Sequence, residues 1–435
     1  MKITCALSDF NFDARESDLD VILYGPTNKG SQGSIGGSLK REVQRKKLVP
    51  EPRAWDFLSI ALAVISADSA GHRQLSPDGW TRSFELTVSV SDTEFWQNNV
   101  SILQDLLAFL TTDRWKLKFI GGVILPPPPK SPVFPNEDSA ALLSGGVDSL
   151  IGVIDLVAEG KKPYVVSQRV APDTSVQSYF AKEVNRGSMG KGLNSFQANH
   201  NVRIPNKERP QSQRARSIIF MAYGVLVATS LKSYKEGNNV PLYVCENGFI
   251  SINPSLTTNR VGSLSTRTTH PVVIGLLQKI LNNANINVNI VNPYRHKTKG
   301  EMLKDCKNQK LMSSLIGMTT SCGRILVNKV DEKYAHCGRC VPCMVRRASF
   351  LAWGADGDST TYFYDDLSIQ DAKHAGFDDV RSMLLAIADA KEQGIQRWLG
   401  ASISSSLVED KDKLAAMVER GLGEIEGFLN SQGVK

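Results

Sequence analysis

The most informative absences in this sequence concern membranes, export and two common nucleotide-binding motifs. Its longest uncharged apolar stretches, Phe57–Ala67 and Ser217–Leu231, are shorter than the roughly 20 residues that a membrane-spanning helix needs. The first residues lack the apolar core of a secretory signal, so we expect a cytoplasmic protein. Neither the G-x-x-x-x-G-K-S/T phosphate loop nor the G-x-G-x-x-G dinucleotide fingerprint occurs.

Charge and cysteine usage exclude further classes. The net charge of +7 is modest for 435 residues, and the densest basic run, Lys40–Lys47, is typical of a solvated loop or helix face. We therefore expect neither nucleic acid nor a membrane as a partner. Seven cysteines in an intracellular chain argue against a disulfide framework, and four of them lie close together in the sequence.

The chain is long enough for two or three domains. Leu125–Pro135 is rich in proline, which neither continues a helix nor donates to a sheet, so residues 125–137 are predicted to form a stiff linker. Before it, alternating apolar residues indicate strands, and Trp55–Ile65 is apolar and helical. Residues 1–124 are predicted to form an α+β domain that binds a partner or presents a substrate.

Beyond the linker, strands and helices alternate, which predicts an α/β domain with a doubly wound parallel sheet over residues 138–352. Residues 353–435 are predicted to form a helical extension that ends in an amphipathic helix. The strand candidates of the α/β domain are Pro163–Ser167, Asn201–Ile204, Pro241–Cys245 and Ile286–Val291.

A strand, a small-residue turn and a helix follow one another across residues 140–157. Glycines permit the backbone angles that aim N–H groups at an anion, and the helix adds its positive end. Asp148 adds a carboxylate that is expected to position Mg²⁺ or the loop itself, and Ser149 adds a hydroxyl. The predicted phosphate-binding residues are Ser144, Gly145, Gly146, Val147, Asp148 and Ser149.

Four cysteines have the spacing of a metal site: Cys322, Cys337, Cys340 and Cys343. Two-residue gaps let neighbouring thiolates converge on one tetrahedral ion, and the distant Cys322 completes the shell. Four sulfur ligands without an open position indicate structural zinc. An iron–sulfur cluster has similar spacing, and His336 is an alternative fourth ligand.

Together, the SGGVDS loop and the segment His336–Arg347 resemble the 7-cyano-7-deazaguanine synthases, called QueC, of the PP-loop ATP-pyrophosphatase family. Asn292–Leu303, with Lys299, and Arg214–Phe220, with Arg216, fit the same branch. The resemblance covers about residues 138–352.

The chain departs from housekeeping QueC enzymes in several places. The interval from Cys322 to Cys337 is long, Ser217 stands where asparagine is usual, and Glu246–Leu256 is not the usual pocket sequence. These departures and the extra domains are similar to the QueC-like proteins of bacterial anti-phage systems.

The resemblance implies a PP-loop fold, ATP with Mg²⁺, structural zinc and a homodimer. It also implies that a 7-carboxy-7-deazaguanine-type carboxylate is adenylated and then joined to an amine. In the defence relatives, the implied acceptor is the N-terminus of a partner protein of the QatB type. Three alternatives stay open: nitrile synthesis with ammonia, tRNA base chemistry, and a scaffold that binds ATP without cleaving it.

The remaining candidates are polar residues near the predicted strand ends. Lys299 and Arg216 are candidate catalytic cations, which join Asp148 and Ser149, although surface pairing is the alternative for both. Glu246 and Asn247 are candidates for binding the guanine-like edge, or else they form a turn. Other candidates are Arg267, Thr268 and Thr269 for substrate binding, and His200, His270 and His296 as proton shuttles or as structural histidines.

Overall fold

The computed structural model describes residues 1–12, 16–27, 30–123, 125–169, 173–186, 192–207, 214–257, 267–323, 326–327, 334–354, 358–368 and 378–434. Two five-stranded sheets, each parallel throughout, organise the chain. The protein is therefore an α/β protein, as the second half of the sequence predicts.

The N-terminal sheet has the strand order β3-β2-β1-β4-β5. Helices α1 and α2 connect β3 to β4, and α3 and α4 connect β4 to β5. The elements are β1 (Lys2–Ala6), β2 (Leu19–Leu23), β3 (Gly33–Ile35), α1 (Leu39–Arg45), α2 (Pro52–Ala70), β4 (Ser83–Ser89), α3 (Thr93–Asn98), α4 (Val100–Thr111) and β5 (Arg114–Ile120).

The expectation of an α+β fold for this part is wrong, because its strands are parallel. Edge strand β5 keeps Arg114, Lys116 and Lys118 exposed and buries only the other face. That alternation is typical of a sheet with one solvated face and is common in antiparallel sheets, so the pattern alone does not reveal strand direction. The helices between β3 and β4 and between β4 and β5 do reveal it, since they return the chain to the same end of the sheet.

The second sheet has the strand order β10-β9-β6-β7-β8. Its central strands β6 and β7 are buried along their whole length, as strands covered on both faces are. The elements are β6 (Ser139–Leu142), α5 (Val147–Ala158), β7 (Pro163–Gln168), α6 (Asp173–Glu183), β8 (Ser195–Ala198), α7 (Arg216–Ala228), α8 (Lys232–Lys235), β9 (Val240–Tyr243), α9 (Gly248–Ile252), α10 (Pro271–Asn283) and β10 (Val288–Val291).

One strand prediction is wrong. The fifth strand of this sheet is β8, not Asn201–Ile204. Asn201 has φ +46°, which is outside the strand region, and Arg203 forms an isolated antiparallel bridge with Ser34 of β3. The chain after β8 therefore pairs with the edge of the N-terminal sheet.

Helical elements complete the C-terminal part. They are α11 (Lys299–Asp305), α12 (Gln309–Leu315), α13 (Val341–Trp353), α14 (Asp378–Gln393), α15 (Ile395–Ile403) and α16 (Lys411–Ser431), with the short ribbon β11 (Leu326–Val327) and β12 (Tyr334–Ala335) between α12 and α13. The predicted amphipathic helix is α16, which packs against α13 and α9. None of the helices in the described ranges is long and apolar enough to cross a membrane.

The two sheets share one hydrophobic core. Helix α2 is buried over almost its whole length and packs against the N-terminal sheet and against α7 of the second half. The proline-rich segment runs over this assembly, since Val133 donates its N–H to Lys47 O at 2.9 Å and Lys232 donates to Pro135 O at 2.8 Å. The predicted domain boundaries stay a prediction.

Candidate functional site

The predicted phosphate loop lies where β6 ends and α5 begins. Gly145 has φ +95°, a conformation that favours glycine, and a Cβ on Gly146 would lie 3.2 Å from Thr320 O. Both glycines are therefore needed by the shape of the turn.

Two hydroxyls hold the loop in place. Ser144 Oγ and Ser149 Oγ are 3.0 Å apart, and Ser149 Oγ also donates to Gly146 O at 3.0 Å. The N–H of Ser144 donates to Ser149 Oγ at 3.2 Å. The loop is thus fixed in a turn that precedes a helix N-terminus, the usual setting for binding an anion.

Asp148 is buried on one flank of the loop. Lys299 Nζ lies 2.9 Å from its Oδ1, and Asn247 donates to its Oδ2 through the side chain at 2.7 Å and the backbone at 3.2 Å. The side-chain oxygen of Asn247 caps α9 by accepting from Ile250 N. Asp148, Asn247 and Lys299 therefore form one buried cluster, in which Asn247 positions Asp148.

A capping box fixes the backbone position of Lys299, the first residue of α11. The Thr298 hydroxyl accepts from Glu301 N at 3.1 Å, and the Glu301 carboxylate accepts from Thr298 N at 2.8 Å, which fixes the start of α11. The Glu424 carboxylate, from α16, accepts hydrogen bonds from the Thr298 hydroxyl and Gly300 N. The C-terminal helix thus supports the lysine indirectly.

Arg216 lies on the opposite flank, at the first position of α7. It donates to Gln168 Oε1 at 3.3 Å, and Gln168 Nε2 lies 3.1 Å from His200 Nδ1. Gln177 connects the same group to the loop by donating to Ser144 O at 3.0 Å. Burial and the Arg216 charge lower the pKa of His200 to about 4, so His200 is neutral at pH 7.

Glu246 follows strand β9 beside the Asp148 cluster. Its carboxylate accepts a hydrogen bond from the Thr269 hydroxyl. Burial raises the pKa of Glu246 to about 7; the Thr269 hydrogen bond opposes the rise, and the Asp148 charge adds to it. Glu246 therefore changes charge near neutral pH, a property common among functional carboxylates.

Other predicted residues serve contacts away from the loop. Arg267 donates to Phe109 O at 3.1 Å and stacks on the Phe109 ring, at the end of α4. Arg214 also binds there, through Thr111 O and Thr112 Oγ1, so both cap the negative end of α4. Thr268 is half-buried, next to Thr269 in the chain.

The other two histidines have local structural partners. His270 Nδ1 accepts from Val272 N and so caps α10, and burial lowers the pKa of His270 to about 4. His296 pairs with Asp410 at 3.4 Å. Neither contact involves the loop.

The four predicted cysteines converge. Their sulfur atoms all lie within 4.8 Å of one another, and Cys337 Sγ and Cys343 Sγ are 3.9 Å apart. Tetrahedral zinc with Zn–S bonds of about 2.3 Å requires sulfur separations of about 3.8 Å, so the cluster fits this ion. His336 Nε2 instead accepts from Ser321 N at 3.0 Å, so the four cysteine sulfurs are the group that could hold a metal ion.

The segment that leads into Cys322 also touches the phosphate loop. Thr320 N donates to Gly145 O at 3.0 Å, and the buried Arg346 donates to Thr319 Oγ1 at 2.8 Å and Ser321 Oγ at 3.3 Å. The cysteine cluster is therefore mechanically connected to the loop through residues 319–322.

Asp173, Gln177 and Thr320 border the loop without having been predicted. Asp173 begins α6 shortly after the carboxyl end of β7, where ligands of parallel sheets bind, and this position was a usable signal. Gln177 and Thr320 carry no comparable signal. Burial raises the pKa of Asp173, and hydrogen bonding from Thr320 and the Arg216 charge oppose that rise.

No protein-family model matches the chain, and no curated protein is significantly similar to it.

Proposed function

We propose that this protein is a QueC-like ATP-pyrophosphatase that activates a carboxylate with ATP. The observation that carries the proposal is the Ser144–Ser149 loop, which ends a central parallel strand between two cationic side chains, Lys299 and Arg216. Ligands of such sheets bind beyond the carboxyl ends of the strands.

The proposed chemistry has two steps. A substrate carboxylate oxygen attacks the α-phosphorus of ATP, and the bond to the β-phosphate oxygen breaks to release pyrophosphate. An amine nitrogen then attacks the carbonyl carbon, loses a proton and expels AMP, which leaves an amide. Bound Mg²⁺ would neutralise phosphate charge.

The protein groups of the site stabilise the negative charges of the phosphates in these steps. Backbone N–H groups of the loop and the start of α5 bind phosphate oxygens, and Lys299 and Arg216 stabilise the negative charge that grows on the leaving pyrophosphate. The hydroxyls of Ser144 and Ser149 keep the loop in its binding conformation.

The substrate class comes from the motif resemblance, with support from Glu246. A 7-deazaguanine carries N–H donors on its pyrimidine edge, and a buried carboxylate is a suitable acceptor for them. Glu246 lies at the end of β9, beside Asp148, and is held by Thr269. We propose 7-carboxy-7-deazaguanine or a close analogue as substrate.

The acceptor that we propose is the N-terminal amine of a partner protein. In this respect the chain resembles QatC, the QueC-like protein of the Qat anti-phage system, with a QatB-like partner. The N-terminal sheet contacts the segment that follows β8, because Gly36 N donates to His200 O at 2.6 Å and Ser38 Oγ donates to Asn199 O at 3.1 Å. These contacts bring the end of β3 beside the end of β8.

Intact-mass analysis of partner proteins co-expressed with this chain tests the proposal. We expect a gain of one deazaguanine amide at the partner's N-terminus, absent with Asp148→Ala. Glu159→Ala, at the exposed end of the same helix, is the matched control and should retain the gain.

Other outcomes distinguish the alternatives. Turnover with ammonia and no protein acceptor would favour nitrile synthesis. Binding of ATP without formation of AMP would favour a scaffold. No modification of any partner would contradict the proposed acceptor.

A further inference from the structure

Two carboxylates flank the phosphate loop, and their surroundings differ. Asp148 Oδ1, like Asp173 Oδ1, is buried without a hydrogen bond in the described part of the chain, but it lies 2.9 Å from Lys299 Nζ, and Asp148 Oδ2 accepts two hydrogen bonds from Asn247. Protein groups compensate the charge of Asp148, so its role is to hold Lys299 and Asn247 in position beside the loop.

Asp173 is not compensated in this way. Its Oδ1 is buried without a hydrogen-bond partner among the described residues, and no described lysine or arginine forms an ion pair with it. The Thr320 hydroxyl donates to the carboxylate, and Arg216 stabilises its charge only from a distance. A buried carboxylate oxygen without a partner is costly, and such groups often mark a site that a ligand completes.

The position of Asp173 indicates which ligand. A Cβ built on Gly145 would lie 3.2 Å from Asp173 Cβ and 3.7 Å from its Oδ1, so the carboxylate borders the turn that is shaped to bind phosphate. A carboxylate and a phosphate so close together repel each other unless a cation lies between them. Mg²⁺ is typically held by one or two carboxylates together with phosphate oxygens of the substrate.

We propose that Asp173 binds the divalent cation of the nucleotide bound at the Ser144–Ser149 loop. The proposal rests on the proposed function, because it requires a nucleotide there. Thr320 positions this carboxylate through its hydroxyl and binds Gly145 O through its N–H, so the segment before Cys322 sets the distance between cation and loop.

The test measures binding rather than turnover. The probe is α,β-methylene-ATP, which cannot be cleaved between the α and β phosphates, titrated calorimetrically with and without Mg²⁺. In the wild type we expect Mg²⁺ to tighten binding by about tenfold or more. In Asp173→Asn we expect Mg²⁺ to leave the affinity for the probe almost unchanged, about onefold. The metal-free probe should bind this variant more tightly than the wild type, because the carboxylate charge that repels the phosphates is gone.

A matched variant and a spectroscopic readout complete the design. Asp305→Asn, which removes an exposed carboxylate paired with Lys297, should keep the full Mg²⁺ enhancement. Electron paramagnetic resonance of Mn²⁺ with the same probe should show bound Mn²⁺ in the wild type and a loss of at least about tenfold in Mn²⁺ affinity in Asp173→Asn.

The outcomes separate the two proposals. If Asp173→Asn keeps the wild-type enhancement and Mn²⁺ affinity, the assignment of Asp173 is wrong while the nucleotide site stands. If the wild type binds no probe under any condition, the proposed function fails and this inference fails with it.

Discussion

The two parallel sheets have similar architecture but use their buried charges differently. In the N-terminal sheet, Arg82 binds Asp68 at 2.5 Å and Asp113 at 2.6 Å, with all three side chains buried. Asp56, near the end of β4, accepts hydrogen bonds from Ser91, Asp92 and Trp96. The Arg82 cluster is compensated by ion pairs within the fold, whereas burial raises the pKa of Asp56 and these hydrogen bonds oppose the rise.

In the second sheet, charged groups collect around a loop and are compensated only in part. Asp173 has a buried oxygen without a described partner, and Glu246 has a pKa raised to about 7. The comparison teaches that a parallel sheet does not by itself define a site. The site is identified by charges that the fold leaves incompletely compensated at the strand ends.

The largest effect should come from breaking the N-terminal charge cluster. Arg82→Ala removes the Arg82 ion pair from buried Asp68 and from buried Asp113, which keeps Arg73, so we expect the free energy of unfolding to fall by about 3 to 5 kcal/mol. Denaturant titration measures this. Lys116→Ala, which removes an exposed pair with Glu85 in the same sheet, should change stability by less than about 0.5 kcal/mol. A small effect of Arg82→Ala would remove the contrast between the sheets.

Lys299→Met should lower the rate of ATP cleavage. We expect formation of AMP from ATP to fall by about 100-fold to 1000-fold, because a cation that stabilises the leaving pyrophosphate is lost. Lys297→Met is the control, since Lys297 lies two residues before Lys299 and forms an exposed ion pair with Asp305. Melting temperatures of both variants separate catalytic loss from unfolding. Wild-type turnover in Lys299→Met would exclude the catalytic role.

Removal of zinc should lower the affinity of the loop for nucleotide, because residues 319–322 connect the cysteine cluster to Gly145. A chelator strong enough to extract zinc should release about one zinc per chain and reduce nucleotide affinity by about 10-fold to 100-fold, since Thr320 no longer fixes Gly145. Readdition of zinc should restore affinity. A chain that contains no zinc when purified without chelators would contradict this account.

Glu246→Gln should have the smallest effect, which is a change in the free energy of unfolding that depends on pH. Burial raises the pKa of folded Glu246 from 4.5 to about 7. The stabilising contribution of the protonated form is complete below about pH 4.5 and is lost as pH rises through 7. Relative to the wild type, Glu246→Gln should therefore gain about 2 kcal/mol between about pH 5.5 and pH 8 in denaturant titrations. A difference that does not vary with pH would contradict the assigned pKa.

Much of the fold follows from sequence pattern, since α2 and α16 occur where apolar periodicity predicts them. The convergence of the four cysteines is predicted by their spacing in the sequence and is confirmed. The parallel direction of the N-terminal strands was missed, because one-sided burial does not encode direction. Asp173 and Thr320 were missed because their importance depends on which segments meet at Gly145, and that is a property of the tertiary structure.

The most direct test of the central claim is product analysis in which ATP labelled at the α-phosphate distinguishes AMP from ADP, and pyrophosphate and inorganic phosphate are measured separately. The chain is incubated with ATP, Mg²⁺ and 7-carboxy-7-deazaguanine, with and without an amine acceptor. We predict AMP and pyrophosphate in equal amounts, with AMP formation dependent on the carboxylate. ADP with inorganic phosphate, or no turnover of ATP, would contradict the account.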